Sequence, residues 1–477
     1  MAKNEILRPD ICVIGAGSGG LSVAAAAAAF GVSVVLVERG KMGGDCLNYG
    51  CVPSKSLIAA GKHAHSIAAG ADFGVFADQM QVNFGKIHQH IHDVIAAIEP
   101  NDSVERFTGL GVQVIQAEAQ FVDRRTVAAG EVRIRARRFV IATGSAPTVP
   151  PIEGLQKVPY FTNETVFGNT RRIGHLIIVG AGPIGLEMAQ AFRRLGSDVT
   201  VLEAQEALAK EDRELAEVVL RRLADEGVNV ITGARVARFE EQNGVGLRAV
   251  YDDKEARKSI EGTHLLIATG RRPNVKDLNL KAAGIRYSDN GIEVNKRLKT
   301  SNGRVFAIGD VTGGMQFTHL ANYHAGLVIR AILFRLSAKE DPGIVPRVTF
   351  TDPEIAGVGL SEEEAARQYG TIRVLRWPYA ENDRAQAERR TEGFIKAITD
   401  KRGRILGAAI VGAQAGELIQ MWALAITQRL NIKAFTGIVS PYPTYSEISK
   451  RAAITYFTPS LTNPNLRRLL AFLRKFG

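Results

Sequence analysis

At 477 residues the chain is long enough for two to four domains of roughly 100–200 residues each. A 45% hydrophobic share supplies material for folded cores, and three cysteines are too few for a disulfide-stapled scaffold. The net charge of +11 comes from arginine pairs scattered along the chain without interleaved aromatics, which argues against a nucleic-acid-binding stripe and suits anionic small ligands.

In chain order, Met1–Asp10 carries no apolar signal core, so a cytoplasmic setting is expected. A strand at Ile11–Ile14, with Cys12 as a small buried hydrophobe, runs into the glycine-rich turn Gly15-Ala16-Gly17-Ser18-Gly19-Gly20. A helix-compatible run follows from Leu21 to Phe30, then a strand from Val32 to Val37 that ends at Glu38. Gly31 and Ser33 interrupt this apolar stretch, which favours helix then strand over a membrane span. Strand, glycine turn, helix, strand and an acid about 20 positions on form a dinucleotide cradle. Gly15 permits the tight turn, Gly17 admits a pyrophosphate, Gly20 lets helix pack on sheet, and Glu38 is placed for a ribose hydroxyl.

Next comes Gly43-Gly44-Asp45-Cys46-Leu47-Asn48-Tyr49-Gly50-Cys51-Val52-Pro53-Ser54-Lys55. On one helix the two cysteines would lie about one and a half turns apart, and Gly50 gives the backbone room to adjust. Zinc would need further soft or imidazole ligands, and no second cysteine pair exists. Redox chemistry beside the cradle is the better reading. His88, His90 and His92 fall in a partly exposed helical pattern, Phe84–Phe107, bent at Pro100, and read as solvated side chains, so no metal site is expected.

A second cradle occupies Leu176-Ile-Ile-Val-Gly180-Ala-Gly182-Pro-Ile-Gly185-Leu-Glu187, with helix to Leu195 and a strand from Val199 to Leu202 ending at Glu203. Two cradles imply two dinucleotides and electron transfer between two bound redox cofactors. A carboxylate at Glu203 suits the free 2′-hydroxyl of NADH and repels the 2′-phosphate of NADPH, and Ala204-Gln205-Glu206 offers no arginine for that phosphate. NADH is therefore preferred, unless Lys210 or Arg271 folds back.

The Gly43–Lys55 run resembles the active-site signature of the class I pyridine nucleotide–disulfide oxidoreductases, the group of glutathione reductase, dihydrolipoamide dehydrogenase and mercuric reductase. The resemblance extends through Ala142-Thr143-Gly144, the second cradle, Ala268-Thr269-Gly270-Arg271-Arg272-Pro273-Asn274, Val305-Phe-Ala-Ile-Gly309-Asp310 and Phe350-Thr351-Asp352-Pro353-Glu354. It implies an α/β fold with two Rossmann-like domains, for FAD and NAD(P), and an α+β C-terminal dimerisation domain. The implied bounds are 1–150 and 281–344 for the FAD and central parts, 151–280 for NAD(P), 345–458 for dimerisation, and 459–477 for an extension. It implies FAD held by Gly15, Gly17, Gly20, Glu38, Gly44, Thr143, Gly144, Gly309 and Asp310. NAD(P) falls to Gly180, Gly182, Gly185, Glu203, Gly270 and Arg271. It further implies Cys51 as the flavin-facing thiolate, Cys46 as the interchange thiol, and Lys55 with Glu187 as an ion pair beside the flavin. The enzyme would be a homodimer, with Tyr442 and Glu447 reaching Cys46 across the interface.

Disulfide-reducing members carry a histidine five residues before that glutamate, and here the position is Tyr442. A phenol, with pKa near 10 against about 6.5 for imidazole, is a poor base at neutral pH. Mercuric reductases also place a tyrosine there, and a metal thiolate needs soft ligands more than an imidazole base. No cysteine follows Cys51, so the C-terminal pair with which mercuric reductases hand over the ion is missing. The expected acceptors are a thiophilic metal–thiolate or a low-molecular-weight disulfide, as in dihydrolipoamide dehydrogenase. A non-catalytic flavoprotein subunit is the contrasting possibility, disfavoured by the intact Cys46, Cys51, Lys55 and Glu187. In the tail, Leu466, Leu469, Leu470, Leu473 and Phe476 recur at helical spacing among Arg467, Arg468, Arg474 and Lys475. The preferred reading of 461–477 is a terminal helix packed on its own dimer; the other is a basic amphipathic helix touching a membrane or a partner.

Overall fold

The computed structural model describes residues 6–242, 246–253 and 256–476. Met1–Glu5, half of the segment read as lacking a signal core, and Gly477, the last residue of the tail, lie outside the described residues. The chain divides into two compact units: Met1–Ala204 with Ile231–Glu340, and Gln205–Val230 with Asp341–Gly477.

The first unit is built on a five-stranded parallel sheet in the spatial order Val305–Ala307, Arg138–Ile141, Ile11–Ile14, Val34–Glu38, Val112–Gln116. Both faces are covered, so the strands read as unbroken apolar runs rather than alternating ones. Alternate residues still divide between two cores. Ile11, Val13, Val34 and Leu36 pack under the helices Ser18–Ala29 and Thr318–Leu333. Cys12, Ile14, Val35 and Val37 face Phe121, Val127 and Ile134 of a smaller sheet. Cys12 is fully buried, and burial alone pushes its thiol pKa far up, as a small hydrophobe requires.

The same unit holds the second cradle. His175–Val179 pairs in parallel with Asp198–Glu203 on one side and His264–Ile267 on the other, and the helix Pro183–Arg194 follows the glycine turn. Short strands Ser145–Pro147 and Arg271–Pro273 pair antiparallel and tie the two sheets together. The pattern expected over Phe84–Phe107 resolves into the helix Phe84–Ile98, a 3₁₀ turn Glu99–Asn101 around Pro100, and the helix Val104–Gly109.

The second unit is an antiparallel five-stranded sheet in the order Arg347–Thr349, Glu354–Gly359, Ile405–Gly412, Phe394–Asp400, Ile372–Pro378. The helix Ala415–Thr427 packs on it through Ile419 and Trp422, whose ring stacks on Phe435 at 4.0 Å. Lys396, only 2% exposed, is neutralised by Asp212 at 2.7 Å, Glu214 at 3.0 Å and Glu362 at 3.3 Å. A buried lysine without such partners would cost several kcal/mol, roughly. No described helix is long and apolar enough to cross a membrane.

Candidate active site

The two cradles are near-copies at the atomic level. Gly15 and Gly180 both adopt left-handed backbone, φ +105° and +109°, with the carbonyls of Ala142 and Ala268 pressed where a Cβ would stand. Their N–H groups donate to Val37 O at 2.8 Å and Leu202 O at 2.9 Å. A Cβ on Gly20 would overlap Gly15 O, and one on Gly185 would overlap Gly180 O. Gly17 and Gly182 differ in kind, because a Cβ on either meets nothing within 4 Å. First and third glycines are thus fixed by the fold, while the middle one borders open space in front of a helix N-terminus, where a pyrophosphate fits. Glu38 accepts from Ala16 N at 2.6 Å and Gly40 N at 2.7 Å, and Glu203 accepts from Ala181 N at 2.8 Å. Each carboxylate is anchored at its cradle by the turn it serves.

The cysteines do not share one helix. Cys46 lies on Gly44–Asn48 and Cys51 opens the helix Cys51–Ala68, with the break at Tyr49 and Gly50. A Cβ on Gly50 would stand 2.7 Å from Asp45 Oδ2, and one on Gly44 would stand 2.7 Å from Gly17 Cα. The motif's glycines therefore seat the cysteine segment directly against the first cradle.

At the first position of its helix, Cys51 gains the N-terminal dipole. Its sulfur lies 3.3 Å from Thr318 Oγ1. Hydrogen bonding from Cys46, then from Thr318, and the charge of Lys55 lower its pKa from 9.0 to about 6, against burial. Cys46 moves the opposite way, because its hydrogen bond to Cys51 and its burial favour the protonated thiol. Lys55, one turn beyond Cys51, bonds Glu187 Oε2 at 2.8 Å. The contact is possible because the helices Cys51–Ala68 and Pro183–Arg194 approach closely: a Cβ on Gly61 would be 3.3 Å from Ala191 Cα. Glu187 is 5% exposed and Lys55 37%, so the pair is worth less than the ~3–5 kcal/mol at stake in fully buried ones.

Asp310 lies in a short turn, Gly309–Thr312, and accepts from Ser145 Oγ at 2.6 Å; burial raises its carboxyl pKa. Arg271, expected at the second dinucleotide, is seated here. Its Nε donates to Ser145 Oγ at 2.8 Å, and its Nη2 reaches both Ser145 O at 2.9 Å and Asp45 Oδ1 at 3.0 Å. Thr143 and Asn274 exchange two hydrogen bonds of 2.9 Å, and Asn274 N bonds Gly144 O at 2.9 Å. Gly270 O accepts from Thr148 N at 2.9 Å. The segments after the last strand of each cradle are in this way locked to one another.

Sequence reasoning missed Thr318, Ser145 and His324. His324 is 1% exposed. Its Nδ1 accepts from Gly309 N at 3.1 Å, and its Nε2 donates to Glu340 Oε1 at 2.9 Å. This fixes the backbone immediately before Asp310. In the second unit, Tyr442 is 70% exposed and its hydroxyl donates to Asp383 Oδ2 at 2.9 Å, which raises the phenol pKa further. Glu447 opens the helix Glu447–Thr455. Among the described residues no group of three or more His, Cys, Asp or Glu is arranged to hold a metal ion. His88 and His92 stack at 4.0 Å, and His92 Nδ1 is occupied by His88 O.

Family comparison agrees with this geometry. Residues 9–325 match the pyridine nucleotide-disulphide oxidoreductase model, and residues 345–453 match the dimerisation domain of the same family. The chain belongs to that family. It is an FAD-dependent, NAD(P)H-linked disulfide oxidoreductase, and it carries the family's dimerisation domain. It is 36% identical over 450 residues to a mercuric reductase of Lysinibacillus sphaericus, covering 94% of this chain and 82% of the relative. It is 34% identical over 457 residues to dihydrolipoyl dehydrogenase of Staphylococcus aureus, covering 94% and 96%. Among solved structures, the Cu(II) complex of the HOCl-induced flavoprotein disulfide reductase RclA from Escherichia coli superposes with a TM-score of 0.83 at 28% identity, covering 92% of this chain and 98% of that one. LpdA from Mycobacterium tuberculosis superposes with 0.86 at 25% identity, covering 94% and 99%.

Proposed function

We propose that this family member is an NADH-driven reductase of a thiophilic divalent metal ion, delivered as a thiolate complex to Cys46 and Cys51. The observation that carries the reading is the side chain at the family's usual histidine position: it is Tyr442, whose hydroxyl is committed as a donor to Asp383 Oδ2 at 2.9 Å, and the carboxylate beside it raises the phenol pKa. A disulfide substrate needs Cys46 deprotonated by a base, which a phenol in that state does not provide. A soft metal ion needs no such base, since coordination itself strips the proton from a thiol.

Bound FAD would supply the two-electron link between nicotinamide and the sulfur pair. The chain's residues do the rest. Gly17, Glu38 and Gly44, with Asp310 held by Ser145, would hold the flavin dinucleotide. Lys55 and Glu187 set the local charge. Cys51 is a thiolate ligand at neutral pH, and Cys46 becomes the second ligand on losing its proton to solvent. In balance, NADH, one proton and the divalent metal bis-thiolate give NAD+, the zero-valent metal and two free thiols, and both cysteines end as they began. The preference for NADH is supported by the anchored carboxylate of Glu203 and by the commitment of Arg271 to Ser145 and Asp45. The name of the L. sphaericus relative supports the same acceptor class.

A second reading, reduction of a small dithiol–disulfide, rests on the retained Glu447 and on the 34% identity to dihydrolipoyl dehydrogenase. Steady-state oxidation of NADH and of NADPH against a Hg(II)–thiol complex, lipoamide, glutathione disulfide and a quinone separates the two. The expected result is metal-dependent NADH oxidation that falls about 100-fold or more in Cys46→Ser, with slow disulfide turnover that Tyr442→His raises about tenfold or more. Faster turnover of lipoamide or glutathione disulfide than of the metal complex would overturn the metal reading. Activity that survives Cys46→Ser would remove Cys46 from both.

A further inference from the structure

The helix Pro464–Leu473 has a complete local design and, among the described residues, no core to pack on. Asn463 caps it, accepting from the N–H groups of Asn465 and Leu466, and Pro464 occupies its first turn. It runs from Pro464 to Leu473, yet every residue from Thr458 to Phe476 is exposed. Leu466, Leu469, Leu470 and Leu473 follow the spacing of one helical face, and Phe476 extends it, its ring against Phe472 at 5.0 Å. Isolated helices under about 12–15 residues are marginal in water, so this one needs a surface to complete it.

Charge identifies the surface. From Ile448 to Gly477 there is no acidic residue, while Lys450, Arg451, Arg467, Arg468, Arg474 and Lys475 are all basic. The root of the tail is fixed to the second unit through Tyr456. Arg373 lies 4.4 Å from the Tyr456 ring and donates to Tyr456 O, and the Tyr456 hydroxyl donates to Lys401 O at 3.1 Å. The matched dimerisation domain ends at residue 453, before this helix begins. Ten residues of helix span about 15 Å, half of a bilayer core, so the helix is suited to lying on a membrane and not to crossing it.

We propose that the helix Pro464–Leu473 lies in the surface of an anionic lipid bilayer, with its leucine face among the acyl chains and its arginines on the headgroup phosphates. The enzyme is then a peripheral membrane protein, attached through residues that take no part in its redox chemistry. Leucines supply insertion and cations supply selection for anionic over zwitterionic lipid.

The test uses the full-length, FAD-loaded enzyme, sedimented with vesicles of phosphatidylcholine alone or with phosphatidylglycerol added. The wild type should pellet with the anionic vesicles and stay in solution with the zwitterionic ones. Leu469→Glu with Leu470→Glu, and separately Arg467→Gln with Arg468→Gln, should each weaken that partition about tenfold or more while leaving NADH oxidation unchanged. Failure to pellet with either vesicle would overturn the proposal, as would pelleting that neither double variant alters. Light scattering provides the remaining arm: if the leucine variant turns a dimer into a monomer, a second copy of this chain covers the face and the lipid assignment is wrong.

Discussion

Cys46 and Cys51 share a proton, and the surroundings decide which sulfur keeps it. The hydrogen bond from Cys46, then that from Thr318 and the charge of Lys55, favour charge on Cys51, whose pKa falls to about 6. Above that pH Cys51 is a thiolate; below it the proton returns and nucleophilicity is lost. In the reduced holoenzyme, iodoacetamide labelling of Cys51 read by mass spectrometry should therefore rise through about pH 6. Replacing Thr318 by Val removes one hydrogen bond to the charged sulfur and should move that inflection upward. An inflection near 9 in the wild type would sink the assignment. The cysteines and Lys55 were legible because they sit on one short run of sequence. Thr318 was not, because it stands 267 positions from Cys51 and only the fold joins them.

The glycines of the two cradles give a test at the scale of the element. Gly17 and Gly182 border open space, so Ala at either should leave the protein's stability unchanged. Gly17→Ala should cut the FAD retained per chain, read from flavin absorbance, while Gly182→Ala should leave FAD content intact and raise the KM for NADH about tenfold. Gly20→Ala should instead lower the denaturation midpoint, costing about 1–3 kcal/mol or more as the new methyl group is forced against Gly15 O. Equal loss of stability in all three would show that the middle glycines serve the fold. Both cradles could be read from sequence because strand, turn and helix are contiguous there. The division of Cys46 and Cys51 between two helices was not legible, since it depends on the contact of Gly50 with Asp45. Nor was the seat of Arg271, which a tertiary hydrogen bond to Ser145 decides.

For the whole molecule, the dimerisation domain raises the question of which copy serves which cysteine. If residue 442 acts on the partner's site, a mixed dimer of one Cys46→Ser, Tyr442→His subunit and one wild-type subunit places the new histidine at the single intact cysteine pair. Purified by two affinity tags, it should then show about half of the gain in disulfide turnover seen in the Tyr442→His homodimer. Disulfide turnover no faster than half of the wild-type rate would place residue 442 with its own chain's cysteines. The α/β architecture was readable because parallel buried strands leave unbroken apolar runs. The two compact units were less so, because Gln205–Val230 clusters with residues more than a hundred positions away.

After Glu38 the chain turns back across the first cradle: Gly43 N bonds Ala16 O at 3.0 Å, and Gly44 is pressed on Gly17. After Glu203 it departs, entering the other unit at Gln205. A dinucleotide in the first cradle would have to unseat that strap to escape. The two sockets are built alike, yet the strap predicts unlike dwell times for their tenants: flavin should stay through dialysis, while nicotinamide should exchange at every turnover.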